Sequence, residues 1–357
     1  MAAVSRCLRR RPASRSYRKR VPVETPDNER AEPPRPIWTV TVPSAPWCPD
    51  EWSVHLDAVA PGLERPDQRG PVAEATGMRA ARDGWSLLMA SRRGRLHAHR
   101  GDHRDDAGQL LLFDHGWCSA VADGAGSATY SRLGASIATH VATHAVRDSI
   151  RHALQHEHGD GAQPATLGRA LEAGATAANQ ALRDFAARCG LALRDLRTTL
   201  LMAAHHDRRI GLLQVGDGAS AWLSTDGTVS QPLSGPITEF SGEVAHFLPD
   251  EGAIEQLLQS LVIRDAATCA ALILATDGVE DPWYPFTRHA GPLYAQLLHG
   301  VRDAVSLGGV TSSHKAPILG APDPVHALIE WLAFEKRGEN DDRTLCVIRQ
   351  DAMTWPA

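Results

Sequence analysis

The sequence predicts an α+β domain in which antiparallel sheets carry helices packed on their outer faces. Three observations lead there. Seven short apolar runs bounded by Gly, Asp and Thr have the length of buried strands. Four long Ala/Leu-rich stretches have the spacing of amphipathic helices. The order of the two kinds is wrong for a βαβ repeat, because two long helices follow one another and three strands come directly after them.

Residues 1–36 are Arg-rich, then Pro-rich, and have no apolar period. Such a segment cannot bury enough surface to offset the entropy of ordering, so a disordered tail is expected. A transit peptide or a basic arm for an acidic partner is the functional alternative; no apolar h-region follows, so a secretory signal is not expected. Residues 37–83, with Trp38, Trp47 and Trp52 among prolines, are expected to be an irregular extension lying on a main domain at 84–350. Within that domain the strands are Trp85 to Ser91, Trp117 to Ala122, Thr199 to Ala204, Ile210 to Val215, Ala219 to Ser224, Cys269 to Ala275 and Arg343 to Arg349. Helices are expected at 130–154, 166–188, 289–303 and 323–336, and Asp226-Gly227 is a hairpin turn.

Of the 357 residues, 43% are hydrophobic and 22% charged, as in ordinary globular proteins. No stretch approaches the roughly 18 apolar residues of a membrane span, so a soluble, cytoplasmic protein is expected. Six cysteines stand at least forty residues apart, without a Cys-x-x-Cys pair. That argues against a zinc knuckle or redox dithiol and fits reduced, buried thiols. The net charge of −5 is uneven: residues 1–20 hold seven Arg, one Lys and no acid, leaving 29 basic against 42 acidic residues beyond them. A body so acidic is a poor nucleic-acid surface and suits carboxylates gathered around divalent cations.

Six Asp-Gly pairs occur, and Asp-Gly is first of all turn chemistry. Asp123, Asp217 and Asp277, however, each close a buried strand, and Asp341 with Asp342 directly precedes one. Strand ends of a packed sheet lie close together, so these carboxylates can converge; their pKa values then rise unless a cation neutralises them. Oxygen ligands select Mg²⁺ or Mn²⁺ over zinc. Two such ions about 3.5 to 4 Å apart can activate a shared water for in-line attack on phosphorus.

Six motifs in order carry a family resemblance: Gly94-x-x-His97-x-x-x-Gly101-x-x-x-Asp105-Asp106-Ala, Val121-Ala-Asp-Gly-Ala-Gly-Ser, Thr198-Thr-Leu, Val215-Gly-Asp-Gly, Leu274-Ala-Thr-Asp-Gly-Val-Glu-Asp281 and Asn340-Asp-Asp-Arg-Thr-Leu. Over about residues 84 to 350 the chain resembles the PP2C-type metal-dependent Ser/Thr protein phosphatases, in their bacterial branch. The resemblance implies an α-β-β-α sandwich of two antiparallel sheets and two Mn²⁺ or Mg²⁺ ions. By it Asp123 bridges both ions, the Gly124 carbonyl serves one, and Asp277 and Asp341 complete the other. Asp106, with Asp105 beside it, holds waters in the outer shell, and Asp217 with Asp281 matches a third, weaker site. It also implies phosphoserine or phosphothreonine protein substrates, an opposing Ser/Thr kinase and no membrane or nucleic-acid partner; a monomer is expected.

Two positions depart from the family pattern. Ala125 stands where many members have a His proposed as general acid, which leaves a metal-bound water or His97; the water is preferred, since His97 is read with His99 and His103 as part of a strand-like stretch. The family's phosphate-gripping Arg has no match at its spacing, and Arg100 is chosen over Arg104 because a guanidinium fork suits phosphate. In the last motif Asp341 takes the ligand position and Asp342 the position of a family Asn, so Asp342→Asn is expected to be mild.

Other readings are weaker. Gly124-Ala-Gly126 lacks a third Gly for a dinucleotide loop, and Asp123 would repel a pyrophosphate. His140 and His144 have zinc-protease spacing without the Glu at 141. His152, His156 and His158 read as a solvated helix end. The rival of a different class is a catalytically weak pseudophosphatase that binds a phosphoprotein or kinase.

Deleting residues 1–36 is expected to leave the thermal midpoint and the turnover of an aryl phosphate unchanged, because the segment supplies no core. A midpoint several degrees lower would show that the tail packs.

Overall fold

The computed structural model describes residues 43, 45–65, 74–156, 163–233, 246–300, 309, 310, 312 and 314–353. Residues 1–36, Trp38, His158 and 301–303 of the expected third helix lie outside them.

All seven predicted strands form, and four more join them: β1 (Ala75–Arg82), β2 (Trp85–Arg92), β3 (Ala107–Phe113), β4 (Gly116–Ala122), β5 (Leu200–His206), β6 (Arg209–Val215), β7 (Ala219–Ser224), β8 (Val229–Ser230), β9 (Val262–Asp265), β10 (Cys269–Ala275) and β11 (Arg343–Gln350). They build two fully antiparallel sheets, ordered β1-β2-β11-β10-β7-β8 and β3-β4-β5-β6-β9. The four strands not expected, β1, β3, β8 and β9, are the four sheet edges. An edge strand is half-buried and lacks a continuous apolar run, and β1 and β9 have no fully buried residue.

The inner strands are apolar at every position because both faces are covered. Along β10, Leu272 and Leu274 turn to the core between the sheets, with Trp117, Leu201, Trp222 and Ile348. Ala271, Ile273 and Ala275 turn to the outer core, where α7 (Phe286–His299) and α8 (Pro324–Trp331) pack. On the other sheet, α3 (Ser131–His156) and α4 (Gln163–Cys189) cover β3 to β6 through Ile137, Leu171, Phe185 and Leu213. Four shorter helices, α1 (Ser53–Val59), α2 (Arg95–Arg100), α5 (Ala253–Gln259) and α6 (Asp277–Glu280), complete the described set. This is the expected sandwich of two antiparallel sheets between helical layers.

Three expectations are corrected. Residues 37–83 are not wholly irregular: α1 buries Leu56, and β1 pairs with β2 along its whole length, so the sheet starts before residue 84. His97 and His99 belong to the helix α2, not a strand, since Gly94 caps a turn of backbone bonds such as Ala98 N to Gly94 O. Helix α8 stops at Trp331 instead of 336, because the Arg343 guanidinium draws in the carbonyls of Leu332, Phe334 and Glu339.

Two-residue turns with a left-handed residue close one end of the sandwich: Asp83 (φ 51°) between β1 and β2, His115 (φ 64°) between β3 and β4, and Asp207 (φ 56°) between β5 and β6. The opposite strand ends are thereby left for longer excursions, and Asp106, Asp123, Asp217, Asp277 and Asp341 all lie there. Crowding at that end is severe. A Cβ on Gly278 would run into the carbonyl oxygen of Asp342, whereas one on Gly126 would meet open space. Gly278→Ala is accordingly expected to lower the thermal midpoint by at least about 3 °C, the overpacking cost being about 1–3 kcal/mol. Gly126→Ala should leave it unchanged, and equal midpoints in differential scanning calorimetry would contradict this packing.

Candidate metal centre

Each acidic side chain is placed by the backbone of the strand it ends. As β4 runs out, Asp123 N donates to Thr199 Oγ1 (2.8 Å), and Asp123 O accepts from Thr199 N and Thr198 Oγ1 at 2.8 Å each. Gly124 bridges to Thr198 and lies against Ser131, where a Cβ would crowd the helix start. Past β6, the side-chain amide of Gln214 donates to the carbonyls of Gly216, Asp217 and Gly218 at 3.3, 3.0 and 2.9 Å, holding the Asp217 turn. Asp277 opens α6 one residue after Thr276.

Asp106 is 3% exposed. Its Oδ2 accepts from Thr276 Oγ1 and Thr344 Oγ1, both at 2.7 Å. Its Oδ1 is buried with no donor, as is Oδ1 of Asp277. Burial and the charge of Asp342 push Asp106 up to about 7. Burial, then Asp277 and Asp106, push Asp123 well above the usual carboxylate range. Asp277 is raised likewise by burial and by Asp217, Asp106 and Asp341. Burial and Asp281 raise Asp217, and burial with Asp281 and Asp217 takes Glu280 to about 7. The expected residues thus feel one another's charge, which is the raised-pKa signature of convergent acids.

The adjacent Asp341 and Asp342 differ as strand alternation requires. Asp341 is exposed and Asp342 is 1% exposed. Asp342 Oδ1 accepts from Gly94 N (2.6 Å), and its Oδ2 from Asp105 N (2.5 Å) and His97 Nδ1 (2.9 Å). Burial disfavours a charged His97, but the bond to Asp342 and the charges of Asp342, Asp105 and Asp341 outweigh it and carry its pKa to about 9. The expectation that Asp342→Asn would be mild is therefore corrected: an amide presents NH₂ either to Gly94 N or to Asp105 N and His97, setting donor against donor.

Among the described residues, the one group of three potential ligands with all atoms within 4.8 Å is His97, Asp341 and Asp342. Because the two oxygens of Asp342 already take three donors, this group reads as scaffold. Asp123, Asp277 and Asp341 are not drawn together that tightly, an approach their mutual repulsion opposes. An all-oxygen donor set with two buried, donorless carboxylate oxygens fits Mg²⁺ or Mn²⁺.

Arg100 is exposed in the last turn of α2 and has no hydrogen-bond or ion-pair partner among the described residues. Arg104 is committed to the carbonyls of Asp106 (3.1 Å) and Ser91 (3.2 Å). Ala125 is buried and donates its N–H to Arg197 O. His140 is satisfied by the Pro61 carbonyl (3.0 Å), and His152 and His156 are exposed. Sequence reasoning missed the hydroxyls of Ser91, Thr276 and Thr344; the signal was a polar residue inside or beside apolar strands.

A family model described as Protein phosphatase 2C matches residues 93–305, more than half of the chain. None of the curated proteins matches. Among solved structures, the serine/threonine phosphatase PstP/Ppp of Mycobacterium tuberculosis is 20% identical, with 75% of this chain and 99% of that one covered at a TM-score of 0.42. Serine-threonine phosphatase 2C of Toxoplasma gondii is 13% identical, with coverage of 77% and 98% and a TM-score of 0.48. PppA of Pseudomonas aeruginosa is 16% identical, covered at 75% and 98% with a TM-score of 0.41. The family assignment rests on the family model, not on these superpositions.

The folded pKa values of Asp105, about 6, Asp106, about 7, and Glu280, about 7, lie above the ordinary 3.8 to 4.5. Between those limits the folded chain holds more protons than the unfolded one, so stability is greatest on the acid side and is lost as pH rises through the folded values. The contribution of His97 is complete below the ordinary 6.5 and is lost as pH rises toward about 9. In chelator-treated protein the thermal midpoint is expected to fall between pH 5 and 8, and Mn²⁺ at pH 8 to raise it by several degrees. A midpoint that climbs with pH and ignores Mn²⁺ would contradict the acidic cluster.

Proposed function

We propose, from the premise that the chain belongs to the protein phosphatase 2C family, that it hydrolyses phosphoserine and phosphothreonine in proteins with two Mn²⁺ or Mg²⁺ ions. The observation that carries this reading is the convergence of buried, mutually repelling carboxylates at one end of the sandwich, two of them with an oxygen that has no donor. Asp123 would bridge both ions, with the Gly124 carbonyl on one and Asp277 and Asp341 on the other; Asp106 would support the outer shell, and Asp217 with Asp281 a third, weaker site. When bound, such ions lower the pKa of water and neutralise phosphoryl charge.

The chain's own residues supply the rest. Thr198 and Thr199 fix the Asp123 backbone, so the carboxylate at the end of β4 is set before substrate arrives. Arg100, free at the exposed end of α2, would meet the phosphate oxygens with its guanidinium fork. Ala125 has no proton to give. His97 is held through Nδ1 by Asp342, and its Nε2 lies 3.9 Å from Asp105, so we assign protonation of the leaving alkoxide to water. The implied partners are phosphoserine- or phosphothreonine-bearing proteins and the Ser/Thr kinase that makes them.

Hydrolysis of a phosphothreonine peptide is expected to require added Mn²⁺ or Mg²⁺. Asp123→Asn should remove nearly all of it, and Asp341→Asn should lower kcat by at least about a hundredfold, on the order of 3 kcal/mol. Asp342→Asn should instead act first on the thermal midpoint, since it breaks the anchorage of α2. Full turnover after exhaustive EDTA dialysis would refute the reading, and Mn²⁺ binding without turnover would favour the non-catalytic phosphoprotein-binding module.

A further inference from the structure

Three hydroxyls around Asp106 have their proton directions fixed by geometry. Thr344 N can only donate, and it donates to Thr276 Oγ1 (2.9 Å), so the Thr276 proton is left to turn to Asp106 Oδ2 at 2.7 Å. Thr344 Oγ1 donates to the same Oδ2 (2.7 Å) and therefore accepts from Ser91 Oγ, also at 2.7 Å. Ser91 and Thr344 are direct partners in the β2–β11 register. Arg104, two residues before Asp106, closes the circuit by donating to the carbonyls of both Ser91 and Asp106. None of Ser91, Asp106, Thr276 and Thr344 is more than 3% exposed.

Two hydroxyl donors fill the lone pairs of Oδ2, and the buried Oδ1 has no hydroxyl or amide donor; the carboxyl of Asp123 lies within hydrogen-bonding reach of Asp106. Two donors on one oxygen fix the plane of the carboxylate, and a half-turn only exchanges its two equivalent oxygens, so one oxygen is held and the other left open. We infer that Ser91, Thr276 and Thr344 form a positioning relay that locks the rotation of Asp106, so that Oδ1 alone is offered to the metal centre. The relay reaches from β2, β11 and the residue just past β10 in one sheet to the residue just before β3 of the other, and so ties the two halves of the cluster together. Its geometry stands by itself, while its purpose rests on the proposed Mn²⁺ or Mg²⁺ site.

The test compares Thr344→Val, which removes the hydroxyl, with Thr344→Ser, which keeps it. Titration calorimetry with Mn²⁺ alone should show the Val variant binding about tenfold more weakly, in line with the loss of an outer-shell partner, and the Ser variant within about threefold of the parent. Equal weakening in both would show that the effect does not follow the hydroxyl and would overturn the relay. A second arm needs no metal: a double-mutant cycle of Thr344→Val and Asp106→Ala, read by denaturant unfolding under EDTA, should be non-additive, and additivity overturns the relay. Should Thr344→Val not fold, Ser91→Ala takes its place in both arms. If the parent binds no Mn²⁺, the proposed function fails and the cycle alone decides the relay.

Discussion

Carboxylates repel one another, and this fold gathers them at one end of a two-sheet sandwich, with Asp106 buried, Asp123, Asp217 and Asp277 largely so, and Asp341 at the rim. Left alone, such a group destabilises the folded chain, because burial disfavours every added negative charge. The surrounding structure answers that repulsion. Hydroxyls of Thr276 and Thr344 hold Asp106, backbone and hydroxyl groups of Thr198 and Thr199 hold the chain at Asp123, and three donors hold Asp342. What these groups leave unsatisfied, oxygen atoms of Asp106 and Asp277, is what a divalent cation takes best.

The two ends of the sandwich divide the work between folding and chemistry. Tight turns at Asp83, His115 and Asp207 set the register at one end, and that register carries through β2, β4, β5 and β11 to place Ser91 opposite Thr344 and Asp123 beside Thr199 at the other. Asp342 links the last strand to the start of α2 and the Asp105–Asp106 turn, so residues 237 and 248 positions apart form one wall of the site.

The inner strands, the long helices and the strand-end positions of Asp123, Asp217, Asp277 and Asp341 could be read from the sequence, because full burial writes continuous apolar runs and strand-end acids stand out against them; Asp106, before the unpredicted β3, was legible only through the family motif. The edge strands could not, since β1 has no fully buried residue and β3 is only half-buried at most positions, so neither writes a continuous apolar run. The helix at His97 is only six residues long, too short to show a period. Asp342 looked like a tolerant neighbour of Asp341 because its partners, Gly94, His97 and Asp105, come from the far end of the chain. The hydroxyls that orient Asp106 were hidden for the same reason: a Thr in a buried strand reads as filler until its partner is known.

Electron paramagnetic resonance of the Mn²⁺-loaded chain reports whether these carboxylates converge on a pair of divalent ions, because two ions sharing the Asp123 carboxylate would lie close enough to couple their spins. The account predicts two Mn²⁺ per chain with a spin-coupled signal that collapses to isolated ions or none in Asp123→Asn. An uncoupled single-ion spectrum from the parent, unchanged in that variant, would contradict it.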